Sequence, residues 1–118
     1  MRIVVTSLFA ASLVLAVQAC GPSPAEINDM GKRARELAVQ DAITDLSARS
    51  YQQLLGAKCL PDCSAQEAGY KQAAAQEISD PEDCHGATPE VVEGCRAFAR
   101  EVKRRGDAAA EAAEKGHG

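Results

Sequence analysis

The sequence predicts an all-α domain, a small irregular three-helix bundle or hairpin stapled by disulfides. Three observations carry this. Helix-start signatures recur at Ser23-Pro24-Ala25-Glu26, Ser64-Ala65-Gln66-Glu67 and Thr88-Pro89-Glu90. No alternating run of branched or aromatic residues marks a strand after the first twenty residues. Four of the five cysteines fall between Cys59 and Cys95, an even set suited to two bridges. The 118 residues allow one small domain, and with aromatics at 3% and much of the apolar content alanine, its core is thin enough to need staples.

The first helix is expected from Pro24 to about Leu55, capped by Ser23 and ended by Gly56. Its apolar stripe opens Ile27, Met30, Ala34, Leu37 and drifts to Val39, Ile43, Leu46, Leu54 and Leu55. Asp41 and Asp45 interrupt a strict heptad, so the segment is either one helix wrapping the core or two with a break near Arg49 or Ser50. Pro61 makes residues 57–63 a loop. The second helix is expected from about Ala65 to Ile78, with Ser64 and Glu67 as its capping box, Tyr70, Ala74 and Ile78 on one face, and Gly69 open to close approach by another backbone. Asp80-Pro81 starts a short turn. The third helix is expected from Pro89 to about Arg105, with Val91, Cys95, Phe98 and Val102 inward, Lys103, Arg104 and Arg105 in its last turn, and Gly106 as its stop. The domain thus covers 24–106, with a cysteine module at 59–98 and a flexible Ala/Glu tail at 107–118.

Ahead of the domain, Arg2, the apolar run Ile3 to Val17 and the small residues at Val17-Gln18-Ala19 have the grammar of an export signal over 1–19. The run Leu15-Ala16-Val17-Gln18-Ala19-Cys20 resembles a bacterial lipobox, which implies lipidation at Cys20 and a short tether over 20–23. One lipidated cysteine also resolves the odd count of five in an oxidising compartment; the alternative is ordinary cleavage after Ala19 with a free thiol. Gly21 after the cysteine would then permit the outer membrane of a Gram-negative host, with membrane contact through the N-terminal lipid. Without Arg2 the chain holds 12 Lys+Arg against 17 Asp+Glu, a net charge of −5 that disfavours nucleic acid as a partner.

For the four remaining cysteines, a loop folding back over the third helix favours Cys84 with Cys95, leaving Cys59 with Cys63; the alternative ties each member of one pair to a member of the other. Three other chemistries compete with disulfides. Zinc would recruit His85 or His117, but zinc sites favour Cys-x2-Cys pairs. A Cys59/Cys63 redox pair lacks the usual spacing and context. Asp80, Glu82, Asp83 and Glu90 match no calcium loop. No glycine-rich phosphate loop, serine elbow or metal-binding helix pattern is present, so no cofactor, catalytic residue or enzymatic activity is expected.

Three segments, Asp62-Cys63-Ser64-Ala65-Gln66-Glu67-Ala68-Gly69-Tyr70, Asp80-Pro81-Glu82-Asp83-Cys84-His85-Gly86 and Glu93-Gly94-Cys95-Arg96-Ala97-Phe98, resemble a module of small exported bacterial proteins without a known activity. Ala65-Gln66 stands where that pattern often has Gly-His, and the usual aromatic between Thr88 and Glu93 is missing. The resemblance implies export and disulfides. A second likeness, in size, lipobox and the Cys84/Cys95 pair, is to small entry-exclusion lipoproteins of conjugative plasmids. The expected function is therefore that of an envelope lipoprotein serving as a structural or protein-binding module for an unknown envelope partner. The rival readings are an exclusion or inhibitor lipoprotein, and a thiol-redox or metal-binding factor.

Overall fold

The computed structural model describes Gly21 and residues 23–116; the expected leader, Cys20, Pro22 and His117 lie outside the described residues. The architecture is all-α. Helix α1 spans Pro24–Ser47, α2 Tyr51–Leu55, α3 Ser64–Ala75 and α4 Pro89–Lys115, with a single 3-10 turn at Pro81–Asp83. Among the described residues there is no strand.

Local chemistry starts each long element. Ser23 and Glu26 form a reciprocal capping box on α1, the Glu26 amide donating to Ser23 Oγ (3.3 Å) and the Ser23 amide to Glu26 Oε2 (3.0 Å). Thr88 Oγ1 accepts from the Val91 amide at the start of α4, with Pro89 in the first turn. Helices α1 and α4 run antiparallel. Arg35 pairs with Asp107, and Arg105 Nη1 donates to Asp45 Oδ2 at 2.7 Å, so rising numbers on one helix meet falling numbers on the other. Helix α3 packs across α4 at the far end of this hairpin. The core gathers there: Ala42, Ile43, Leu46, Tyr51, Tyr70, Ala73, Cys84, Cys95, Phe98, Ala99 and Val102 form one buried cluster.

The structure resolves or corrects four expectations. The first helical segment is two helices, broken over residues 48–50, with Ser50 recapping the chain through a reciprocal box with Gln53. Gly56 ends α2 in the left-handed conformation (φ 59°), as expected of a glycine there. Helix α3 ends at Ala75 rather than Ile78. Glu77 takes the left-handed position (φ 52°), and the Ile78 amide turns back to the Ala73 carbonyl at 2.9 Å. Leu37 leaves the inner stripe and is 69% exposed; the contacts with α4 on this stretch come instead from Gly31, against Glu114, and from Arg35 and Val39, against Gly106.

The fourth correction concerns the C-terminal segment. Gly106 is not a stop, and residues 107–115 are not a flexible tail: α4 continues to Lys115. Gly106 is buried against α1, where a Cβ would lie 2.9 Å from Val39 Cγ2 and 3.3 Å from Arg35 Cγ. A mid-helix glycine costs about 1 kcal/mol relative to alanine, which close packing and the pairs Arg35–Asp107 and Lys103–Asp107 offset. Lys103, Arg104 and Arg105 are accordingly mid-helix residues engaged in ion pairs, not a last turn facing the helix dipole.

Glu77 sits where only glycine is free of steric cost. Glu77→Gly is expected to stabilise the domain by about 1 kcal/mol, raising the melting temperature by roughly 4–8 °C for a domain of this size, readable by calorimetry.

Candidate functional site

The cysteine-rich head is where chemistry-bearing residues converge, and it is assembled by one helix crossing. Helices α3 and α4 meet glycine to backbone. A Cβ at Gly69 would overlap the Val91 carbonyl, and one at Gly94 would overlap the Gln66 carbonyl. The approach sets Tyr70 against Phe98 edge to face, with ring centroids 5.2 Å apart and planes at 88°. Both rings are fully buried. The Tyr70 hydroxyl donates to the Leu46 carbonyl at 2.7 Å, tying α3 to the end of α1. Burial, then the nearby Glu67 charge, pushes the Tyr70 phenol up to about 12, so it remains a donor across the physiological range.

Glu67 corrects the expected second capping box. Ser64 is already bound by Asp62 Oδ1, which accepts from both its amide (2.9 Å) and its hydroxyl (2.6 Å). Glu67 instead reaches across to α2, accepting from the Tyr51 amide at 3.0 Å and the Gln52 amide at 3.1 Å. It caps a different helix from its own, satisfying the first two amides after the 48–50 break. Tyr51 completes the corner by donating its hydroxyl to Glu93 Oε1 at 2.9 Å. Burial, and then that hydrogen bond, raises its pKa.

The cysteines pair as the sequence favours: Cys84 with Cys95 (Cα–Cα 5.7 Å) and Cys59 with Cys63 (4.9 Å). The first bridge is buried and fastens the segment after the 3-10 turn to the inner face of α4. Asp80 Oδ1 caps that turn by accepting from the Glu82 amide at 2.9 Å. The second bridge closes the loop Cys59-Leu60-Pro61-Asp62-Cys63 and leaves Leu60 97% exposed. With these four sulfurs in disulfides, the head offers no thiolate to a metal and no reduced thiol pair. Among the described residues no group of three or more His, Cys, Asp or Glu side chains could hold a metal ion, and none of the described helices is long and apolar enough to cross a membrane. His85 is exposed on the loop after Cys84. The acids Asp80, Glu82, Asp83 and Glu90 belong to helix and turn starts.

Beside the crossing lies a cleft that the sequence reading missed. Leu54 and Leu55 of α2 and Ala97 of α4 form its apolar part, and Glu93, Arg100, Glu101 and Arg104 its polar edge, around about 300 Å³. These residues come from two helices some forty positions apart, so no local pattern could join them. Glu101 accepts from Arg104 Nε and Nη2 (2.9 and 2.7 Å) and from Arg105 Nε (2.9 Å). The Arg104 guanidinium, helped by Arg105, holds its carboxyl at about 2, far below the usual 4.5.

Comparison with family models, with curated proteins and with solved structures found no match for this chain.

Because the folded-state pKa of Glu101 is depressed, its contribution is fully present above pH 4.5 and is lost as pH falls from 4.5 through about 2. Glu101→Gln is therefore expected to flatten the stability slope in that window, with a loss near neutrality on the order of 1–2 kcal/mol after allowing for partial solvent screening. Denaturant titrations at stepped pH measure both effects.

Proposed function

We propose that this chain is a small exported envelope lipoprotein, anchored through acyl chains on Cys20, in which a two-helix stalk presents the disulfide head as a structural or protein-binding module. The observation that carries the reading is the polarity of the hairpin. Helix α1 begins four positions after Cys20, and its 24 residues separate that end from the corner where the head is built. At 1.5 Å per residue the separation is about 36 Å. An anchor at one end and a stapled, solvent-facing head at the other is a geometry for display away from a surface.

Three further features support it. The export grammar of residues 1–19 and the lipobox resemblance point to the same cysteine, Cys20, that remains when the other four have paired. Disulfides suit an oxidising compartment. The residues through which the sequence resembles an exported bacterial module are engaged in building the head: Gly69 and Gly94 in the crossing, Tyr70 and Phe98 in the core, Glu67 and Asp80 in caps, Cys84 and Cys95 in a bridge. A signature absorbed by scaffolding fits a binding or structural module better than catalysis. The net charge of −5 after the leader argues for a protein partner in the envelope over nucleic acid.

Intact mass of the protein purified from membranes tests the reading. The expected result is a chain beginning at Cys20, carrying acyl chains, that gains about four hydrogens on reduction, the count for two bridges. Cys20→Ala is expected to leave the detergent phase or to stall maturation. A non-acylated mature chain, or unchanged detergent partition of Cys20→Ala, would contradict it.

A further inference from the structure

The two bridges of the head differ in what surrounds them. Cys84 and Cys95 are 4% and 2% exposed and belong to the core cluster, whereas Cys59 and Cys63 are only partly buried at its margin. An open hollow of about 400 Å³ meets the outer bridge, with Gln52, Lys58, Leu60, Pro61 and Asp62 around it. A disulfide reached from such a hollow is open to a thiolate from outside, and access is one of the factors that set the rate of thiol–disulfide exchange.

What the bridges hold also differs. Cys84–Cys95 joins residues that core packing keeps together, so opened thiols there stay side by side and reclose. Cys59–Cys63 joins residues with a sequence separation of 4, against 11 for the buried pair. The shorter closure constrains the unfolded chain less in the chain-entropy picture. Among the described residues, no backbone–backbone hydrogen bond involves residues 57–62, and Leu60 in that loop is 97% exposed. Apart from the hydrogen bonds of Asp62 with Ser64, the outer bridge is the tie that holds the loop. Helix α2 does not need it, since Glu67 and Glu93 fasten α2 to α3 and α4.

We propose that Cys59–Cys63 is a site of thiol–disulfide exchange, opened by a dithiol reductant while the crossing and the buried bridge keep the head folded. The reductant's thiolate attacks Cys59 Sγ. The bond between the two cysteines breaks, and its electron pair leaves on Cys63 Sγ, giving a mixed disulfide at Cys59. The reductant's second thiolate then attacks its own sulfur in that mixed disulfide, which frees Cys59 and releases the reductant as a disulfide. Two electrons pass to the bridge, and the two protons lost by the dithiol end on the two cysteines. The direction of attack follows from α3. Cys63 is its N-cap, a position that favours a thiolate, and in the bridge its side chain accepts no capping hydrogen bond. The thiol of lower pKa is the better leaving group. Lys58 and Asp62, one of each sign, flank the bridge and offset each other. The three-residue spacing and the all-α setting are not those of a disulfide catalyst, so the chain receives electrons here and does not pass disulfides on. Opening frees residues 57–63 and reshapes one end of the head without unfolding it. The proposal stands on the head alone and holds whether or not Cys20 is acylated.

The test is timed reduction of the purified, oxidised full chain. Free thiols are blocked first, so that Cys20 does not enter the exchange. Dithiothreitol is then added, samples are quenched in acid and alkylated, and peptide mass spectrometry reads each cysteine. Cys59 and Cys63 are expected to become alkylated about tenfold or more faster than Cys84 and Cys95, with the helical circular dichroism of the chain retained when only they have reacted. Glutathione, which has one thiol, halts the exchange at the mixed disulfide; its adduct is expected on Cys59, with Cys63 alkylated. Reduced thioredoxin in place of dithiothreitol separates a protein source of the dithiol from a small one, and opening of the outer bridge alone by either reductant supports the proposal. Opening of the buried bridge first, opening of both at one rate, a glutathione adduct on Cys63, or loss of helix as the outer bridge opens would each overturn it.

Discussion

The fold depends on the backbone contact between α3 and α4. At Gly69 and Gly94 each helix presses its bare backbone against a carbonyl of the other, and no side chain larger than hydrogen fits either place. This approach compensates for a composition poor in large apolar residues. With aromatics at 3% of the chain, the core cannot be filled by bulk. It is closed by proximity, and two of the few rings, Tyr70 and Phe98, stand beside the two glycines to use the space gained. Alanine at positions 42, 73 and 99 continues the same strategy along the core.

The crossing also fixes the corner between α1 and α2. Helix α3 supplies Tyr70 to the last turn of α1 and Glu67 to the first turn of α2, so both sides of the 48–50 break are held by a single element. Tyr51 then anchors α2 to α4 through Glu93. The buried Cys84–Cys95 bridge secures the connection between α3 and α4 from the other side. In the chain-entropy picture such a bridge contributes on the order of 3 kcal/mol by restricting the unfolded chain, a large share of the stability of a domain this small. Head and stalk therefore differ in construction. The head is locked by a crossing, a corner and bridges, whereas the stalk is a two-helix contact of small residues and ion pairs such as Arg35–Asp107.

What could be read from the sequence follows from how local each signal is. Caps complete within four residues were legible: Ser23 with Glu26, Thr88 with Val91, Asp80 before Pro81, and Gly56 as a terminator. The favoured cysteine pairing was legible because both bridges are short-range. The misreadings share a cause, a residue used by a neighbour instead of by its own segment. Glu67 has the spacing of a capping box with Ser64, but Asp62 takes Ser64 first and α2 presents two unpaired amides. Gly106 reads as a stop only while α1 is ignored; with α1 beside it, the same glycine is a packing surface. Leu37 fits the helical stripe but is exposed, because Gly31, Arg35 and Val39 make the contact with α4. The cleft was invisible because it joins Leu54 and Leu55 to Ala97 across a fold not yet known.

The most direct test compares alanine at two glycines of the same helix. Helix propensity alone predicts that Gly94→Ala and Gly106→Ala each stabilise α4 by about 1 kcal/mol. The crossing predicts otherwise for Gly94, where the added methyl meets backbone that cannot yield: a loss of about 1–3 kcal/mol, the cost of overpacking. At Gly106 the two closest neighbours of the methyl are side-chain atoms of Val39 and Arg35, and the nearest backbone atom, the Arg35 carbonyl oxygen, is at an ordinary contact distance of 3.8 Å, so a smaller change is predicted. Chemical denaturation of the two variants beside the parent chain decides the matter. A clear loss confined to Gly94→Ala supports the account, and a Gly94→Ala variant as stable as the parent or more so would contradict it.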